Sequence, residues 1–165
     1  MMRITIDRRG RVDAVGWFDL PMPSAAVWVR MRDIEWFLTR DPLHVSVRVT
    51  PAGSGESPKG SSLLLRHRIL GIGPDRVGRV LTWNEGRGYA ISDLSRRGVR
   101  TGFPHVCTYE VEALGELCCR VRLGAKGRWT TGWVPRFLVR LWLAWVLKAT
   151  EAHVMWGLWR STIRR

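Results

Sequence analysis

VPRFLVRLWLAWVLKATEAHVMWGLWR, residues 134 to 160, is the stretch on which the fold turns. Wound at about 100° per residue, it lines up Val134, Leu138, Leu141, Trp145, Ala149, Ala152, Trp156 and Trp159 in one apolar stripe. Leu143, Leu147 and Val154 fall nearly opposite, so the helix is apolar on more than one side. The pattern predicts a single terminal helix of roughly 25 to 30 residues starting near Val134–Pro135. A helix of this kind packs on a sheet along one face and offers the other to a second helix, a partner or a membrane surface. It does not read as a membrane span. FLVRLWLAWVL (137–147) is interrupted by Arg140 and flanked by Arg136 and Lys148, which makes it too short and too charged.

What precedes the helix is mostly strand-like. RITIDRRGRVDAV (3–15) alternates around a glycine-containing turn and reads as an opening strand. PMPSAAVWVRMRDIEWFLTRD (21–41) switches to helical spacing, with Val27, Met31, Ile34 and Leu38 in phase and Trp28 beside them. It predicts one helix or two short ones, with Ser24 as the N-cap and an end before Pro42. LHVSVRVT (43–50) puts Val45, Val47 and Val49 on one face. PAGSGESPKGSS (51–62) is a loop rich in Gly, Ser and Pro. Strand-like segments then follow at 63–72, 76–83, 87–93, 105–112 and 116–125, separated by GPD, NEG and LG turns and by a longer connection over 93–105. GIGPDRVG (71–78) joins two antiparallel strands, so it reads as a turn and not a phosphate loop.

The 165 residues suit one domain, 1–165, and 45% hydrophobic with 25% charged residues excludes a disordered chain. The net charge of +13 raises an anionic partner, either RNA or a membrane surface. The basic residues are nearly all arginine, however, with no run longer than two, which compositional bias would also produce. Three cysteines without a C-x-x-C spacing give neither a disulfide framework nor a zinc motif, and they fit reduced thiols in the cytoplasm. MMRITIDRRG has no apolar core of a signal peptide.

The opening strand leading into PSAAVWVRMRD (23–33), the hairpin segment YAISDL (89–94), the strands HVCTYEV (105–111) and CCRVRL (118–123) and the terminal helix together resemble the helix-grip superfamily. That superfamily (often abbreviated SRPBCC) includes START domains, polyketide cyclases and dehydratases, and plant pathogenesis-related allergens. The resemblance covers nearly the whole chain and rests on soft features, since the superfamily has no invariant catalytic signature. It implies an α+β fold in which a curved antiparallel sheet of about six to seven strands wraps a long C-terminal helix, with short helical segments after the first strand. It also implies an apolar cavity between sheet and helix for a hydrophobic small molecule or lipid. The ten tryptophans agree, because so many indoles are hard to close-pack in one small domain. Trp83, Trp129, Trp133 and Trp145 are placed by the pattern on the interior, with Phe137 beside them, as candidate ligand-binding residues.

His67, Tyr89, His105, Cys107 and Tyr109 fall on strand faces predicted to point inward and complete the candidate ligand-binding set. Candidate catalytic residues are His105, Tyr109 and Asp93, with Asp93 able to orient a histidine as acid or base. A Cys107 nucleophile would need a depressed pKa. Metal binding by His67, His105 and Cys107 would need adjacent strands to converge, and no metal site or cofactor is expected. His44 and His153 read as surface histidines. YAISDLSRRGVRTG (89–102) carries Arg96, Arg97 and Arg100 around a loop placed to gate the cavity or meet an anionic head group. Three functions follow: a hydrophobic-ligand binder or carrier; a cyclase- or dehydratase-like enzyme using the same cavity; and a protein that docks on a membrane, RNA or a second copy of itself. For the last, the superfamily's links to ubiquinone handling and ribosome association are the precedent.

Overall fold

The computed structural model describes residues 1–53, 57–68, 75–95 and 103–163. Parts of the 51–62 loop, the 63–72 segment, the 71–78 turn and the 93–105 connection, with Arg96, Arg97 and Arg100, lie outside the described residues. The opening segment is a hairpin and not one strand. Asp7 Oδ1 accepts from the backbone N–H groups of Arg9 and Arg11 at 2.8 and 2.9 Å, and Gly10 takes φ 74°. The chain therefore reverses between β1 (Met2–Ile6) and β2 (Arg11–Leu20).

Two short helices follow, α1 (Ser24–Met31) and α2 (Ile34–Leu38). Ser24 is the first helical residue, and Pro23 occupies the cap position without a side-chain bond. The break between the helices has a cause in Asp33, whose side chain accepts from Trp36 N at 3.0 Å and starts the second helix. Val27, Met31, Ile34 and Leu38 are all buried, as their spacing predicts.

The rest of the sheet is β3 (His44–Thr50), β4 (Ser62–His67), β5 (Asp75–Asn84), β6 (Gly88–Ser95), β7 (His105–Gly115) and β8 (Cys118–Arg128). The eight strands run antiparallel in the order β1-β2-β8-β7-β6-β5-β4-β3, one or two more than expected because the opening segment supplies two. In β3 a register shift between His44 and Ser46 breaks the alternation, so Val47 is buried while Val45 is 48% exposed. In β8, Cys119, Val121 and Leu123 are buried in turn, and Leu117 sits exposed in the preceding bend. Gly78 in β5 lets β6 approach closely, since a Cβ there would stand 2.0 Å from the Ser92 carbonyl oxygen. Gly78→Ala is expected to cost at least about 1–3 kcal/mol by urea unfolding, because that backbone must move aside.

The long helix α3 (Arg136–Ile163) lies against β1 and β2. Its buried residues are Val139, Leu143, Leu147, Thr150, Val154 and Leu158. This is the narrower stripe, and it corrects the reading that faced Trp145 and its row inward. Leu147 rests 3.5 Å from where a Cβ of Gly16 would be, and a Cβ on Gly157 would stand 3.0 Å from the Trp36 ring, so the contact has room for aliphatic side chains but not for a row of indoles.

Candidate functional site

Asp93 is the centre of the polar interior. It faces His105 directly across the β6–β7 ladder and is 2% exposed. Its Oδ1 accepts from Arg76 Nε. The Arg76 guanidinium also donates through Nη2 to the backbone oxygens of Asp93 and Phe103 at 3.0 and 2.8 Å. The Asp93 Oδ2 atom lies 3.4 Å from His67 Nε2 and 3.6 Å from His105 Nε2. His44 stands opposite His67 across the β3–β4 ladder, its ring edge-on with centroids 4.5 Å apart. His44 is therefore half-buried in the cluster, not a surface histidine; His153 is exposed, as expected.

Two of these rings are oriented by backbone. His44 Nδ1 lies 2.7 Å from the Leu38 carbonyl oxygen, and His105 Nδ1 lies 2.7 Å from that of Phe103. A carbonyl only accepts, so both Nδ1 atoms carry the proton. Burial would raise the Asp93 carboxyl, but His67, His105 and Arg76 beside it outweigh that and hold the pKa below the ordinary carboxylate value. Burial lowers His105, against the opposing pull of Asp93. Burial pushes the Cys107 thiol up, the reverse of what a nucleophile requires.

Aromatic rings extend from the cluster in two directions. Phe37 on α2 meets Tyr109 at 5.4 Å, Tyr109 meets Tyr89 at 5.2 Å, Tyr89 stacks on Trp83 at 5.4 Å, and Trp83 meets Trp28 of α1 at 5.1 Å. On the other side His105 stacks on Phe103 at 4.4 Å, and Phe103, Trp129 and Trp142 of α3 continue at 5.8 Å steps. The Tyr89 hydroxyl is buried in the first wall without a hydrogen-bond partner among the described residues. The sheet's opposite face carries an open groove of about 610 Å³ walled by Thr108, Glu110, Glu112 and Arg122, where the last two form a 3.0 Å ion pair.

No family model and no curated protein matches the sequence. Solved structures do. A START superfamily protein from Mycobacterium smegmatis superposes with a TM-score of 0.71 at 13% identity, over 92% of this chain and 99% of the other. The Zhui aromatase/cyclase from Streptomyces sp. R1128 gives 0.67 at 14% identity, over 100% and 96%. The chain has the START-like helix-grip fold. A conserved protein from Geobacillus kaustophilus shares it at a TM-score of 0.68 and 12% identity, over 90% and 96%.

The START-like fold gathers His67, Tyr89, Asp93, His105, Cys107 and Tyr109 on one face of the sheet, with Trp83 and Trp129 half-buried at its margins. It does not gather Trp133, Phe137 or Trp145, which are 85%, 63% and 54% exposed on or beside the outer face of α3. Sequence reasoning missed Arg76, His44 and Phe103. Arg76 had a usable signal, since it shares strand parity with the buried Val80. His44 had none, because the bulge beside it breaks the period.

Proposed function

We propose that the chain binds a hydrophobic small molecule or lipid against the inner face of the START-like sheet, with Tyr89 as a polar anchor. The observation that carries this is the Tyr89 hydroxyl, buried among aromatic rings with no hydrogen-bond partner among the described residues. A buried hydroxyl without a hydrogen bond is costly, and a ligand oxygen or amide would satisfy it. Apolar burial on the ring walls would supply most of the affinity. Two solved structures of the same fold, a START superfamily protein and an aromatase/cyclase, are consistent with a ligand site there. Carriage is favoured over turnover. His105 has Nδ1 committed to the Phe103 carbonyl, and its Nε2 faces Asp93 Oδ2 at 3.6 Å, so its lone pair points into the polar cluster and not at a substrate.

The expected result is a stoichiometric hydrophobic compound in an organic extract of the purified protein, read by mass spectrometry. Tyr89→Phe should retain less of it. The same substitution should stabilise the ligand-free protein by about 1 kcal/mol, because it removes an unsatisfied buried hydroxyl. A folded wild type with an empty extract, and a Tyr89→Phe variant that is less stable, would sink the reading.

A second reading concerns where such a ligand is collected. The outer face of α3 exposes Leu141, Trp145, Trp156 and Trp159 by 50% or more, flanked by Arg140, Lys148 and Arg160. Large apolar side chains between cations suit an anionic membrane surface. No helix among the described residues is long and apolar enough to cross a membrane, so the helix would lie on the surface. A net charge of +13 per chain favours anionic lipid over a second copy of the chain.

A further inference from the structure

We propose that the cluster around Asp93 is a binding site for a divalent first-row transition ion, held by His44, His67 and Asp93 with His105 as a fourth ligand. One ring nitrogen each from His44 and His67 and one Asp93 oxygen lie within 4.8 Å of one another. Asp93 Oδ2 is 3.4 Å from His67 Nε2 and 3.6 Å from His105 Nε2. Those separations are long for hydrogen bonds, and close to the edge of about 3.3 Å that bonds of about 2.0–2.1 Å give a tetrahedral site.

The protonation pattern points the same way. With Nδ1 protonated against the Leu38 and Phe103 carbonyls, neutral His44 and His105 each present a bare Nε2 lone pair. His105 Nε2 and Asp93 Oδ2 are then two acceptors facing each other across 3.6 Å, which needs an electrophile between them. Donation of the second ring nitrogen to a carbonyl is the outer arrangement that metal-bound histidines use to fix ring and tautomer. Arg76 plays the corresponding part for the carboxylate: it holds Oδ1 and leaves Oδ2 free to ligate. His67 Nδ1 is buried without a partner among the described residues, so those residues leave the cluster incompletely satisfied. Three imidazoles and one carboxylate select zinc-like ions over magnesium or calcium. Cys107, once a candidate ligand, is not part of the group; His44, from the sheet's edge, takes its place.

The site ties together β3, β4, β6 and β7, so an ion there should also stabilise the fold. Protein stripped with a chelator and dialysed would be titrated with Zn²⁺ by calorimetry and with Co²⁺ by visible absorption. One ion per chain is expected, with the intense visible bands of four-coordinate Co²⁺ and a Tm raised by about 3 °C or more in excess Zn²⁺. His67→Gln should weaken binding at least about tenfold, while His153→Gln, on the exposed side of α3, should leave it unchanged. A buried glutamine can unfold the chain, so the wild type is also read by imidazole ¹⁵N NMR. Zn²⁺ should shift Nε2 of His44 and His105 and leave both Nδ1 atoms protonated. Absence of stoichiometric binding by the folded wild type, equal loss in His153→Gln, or unshifted Nε2 resonances would overturn the proposal. So would a doubly protonated His105 that Zn²⁺ does not displace, since a proton would then occupy the ion's place.

Discussion

Asp93→Asn is expected to destabilise the metal-free protein by about 3–5 kcal/mol in urea unfolding followed by circular dichroism. The substitution keeps the shape of the side chain and removes its charge. Arg76, 12% exposed at the side chain, is then a buried cation without a counter-charge. Breaking one side of such a pair costs far more than the pair itself contributes, because the remaining ion has lost its water and its partner together. The double variant Arg76→Met, Asp93→Asn is therefore expected to recover much of the loss, and the cycle gives the coupling. A single Asp93→Asn variant within 1 kcal/mol of wild type, on the scale that exposed pairs show, would mean the cluster is wetter than its burial implies.

The second large effect concerns the helix face turned to solvent. Leu141→Ser, Trp145→Ser and Trp156→Ser in one chain should leave Tm nearly unchanged, because these side chains are 63%, 54% and 50% exposed and pack little. Binding to vesicles containing phosphatidylglycerol, read by co-sedimentation, should fall at least about 100-fold, since each side chain contributes about 1.5–3 kcal/mol when fully buried and only part of that here. Wild-type binding should also weaken as salt is raised and be faint on neutral phosphatidylcholine vesicles. If the wild type ignores both vesicles but forms a concentration-dependent dimer that the triple variant abolishes, the face belongs to a second copy. Serine is chosen so that the net charge does not change.

Much of the fold was legible because its periods are strong. Strand alternation from Tyr89 to Asp93 and from His105 to Val111 gave the inward face correctly, and helical spacing in 24–38 gave the buried row. The choice between the two stripes of α3 was not legible. Hydrophobicity alone favours the row with tryptophans; what decides is the space above Gly16 and beside Trp36, which belongs to the assembled sheet. The candidate site was half legible. Asp93, His67 and His105 could be named from strand parity, but their meeting needs the sheet to bring β4 and β6 together across β5, helped by Gly78. His44 was hidden by a one-residue bulge, and no period survives that.

The strand order has a consequence for how the chain reaches this state. β3 to β8 pair with their neighbours in sequence and can zip as successive hairpins, but β2 must wait for β8, pairing Arg11 with Arg128. Until that closure, β1 and β2 are absent from the sheet, and α3 has no surface to pack on. Such long-range pairing slows folding, and the waiting intermediate is exposed to aggregation. Stopped-flow refolding should therefore show a fast phase for hairpin formation and a slower one for closure, with yield falling as protein concentration rises. Expression of this chain should then respond more to lowered temperature and rate of synthesis than to any single stabilising substitution.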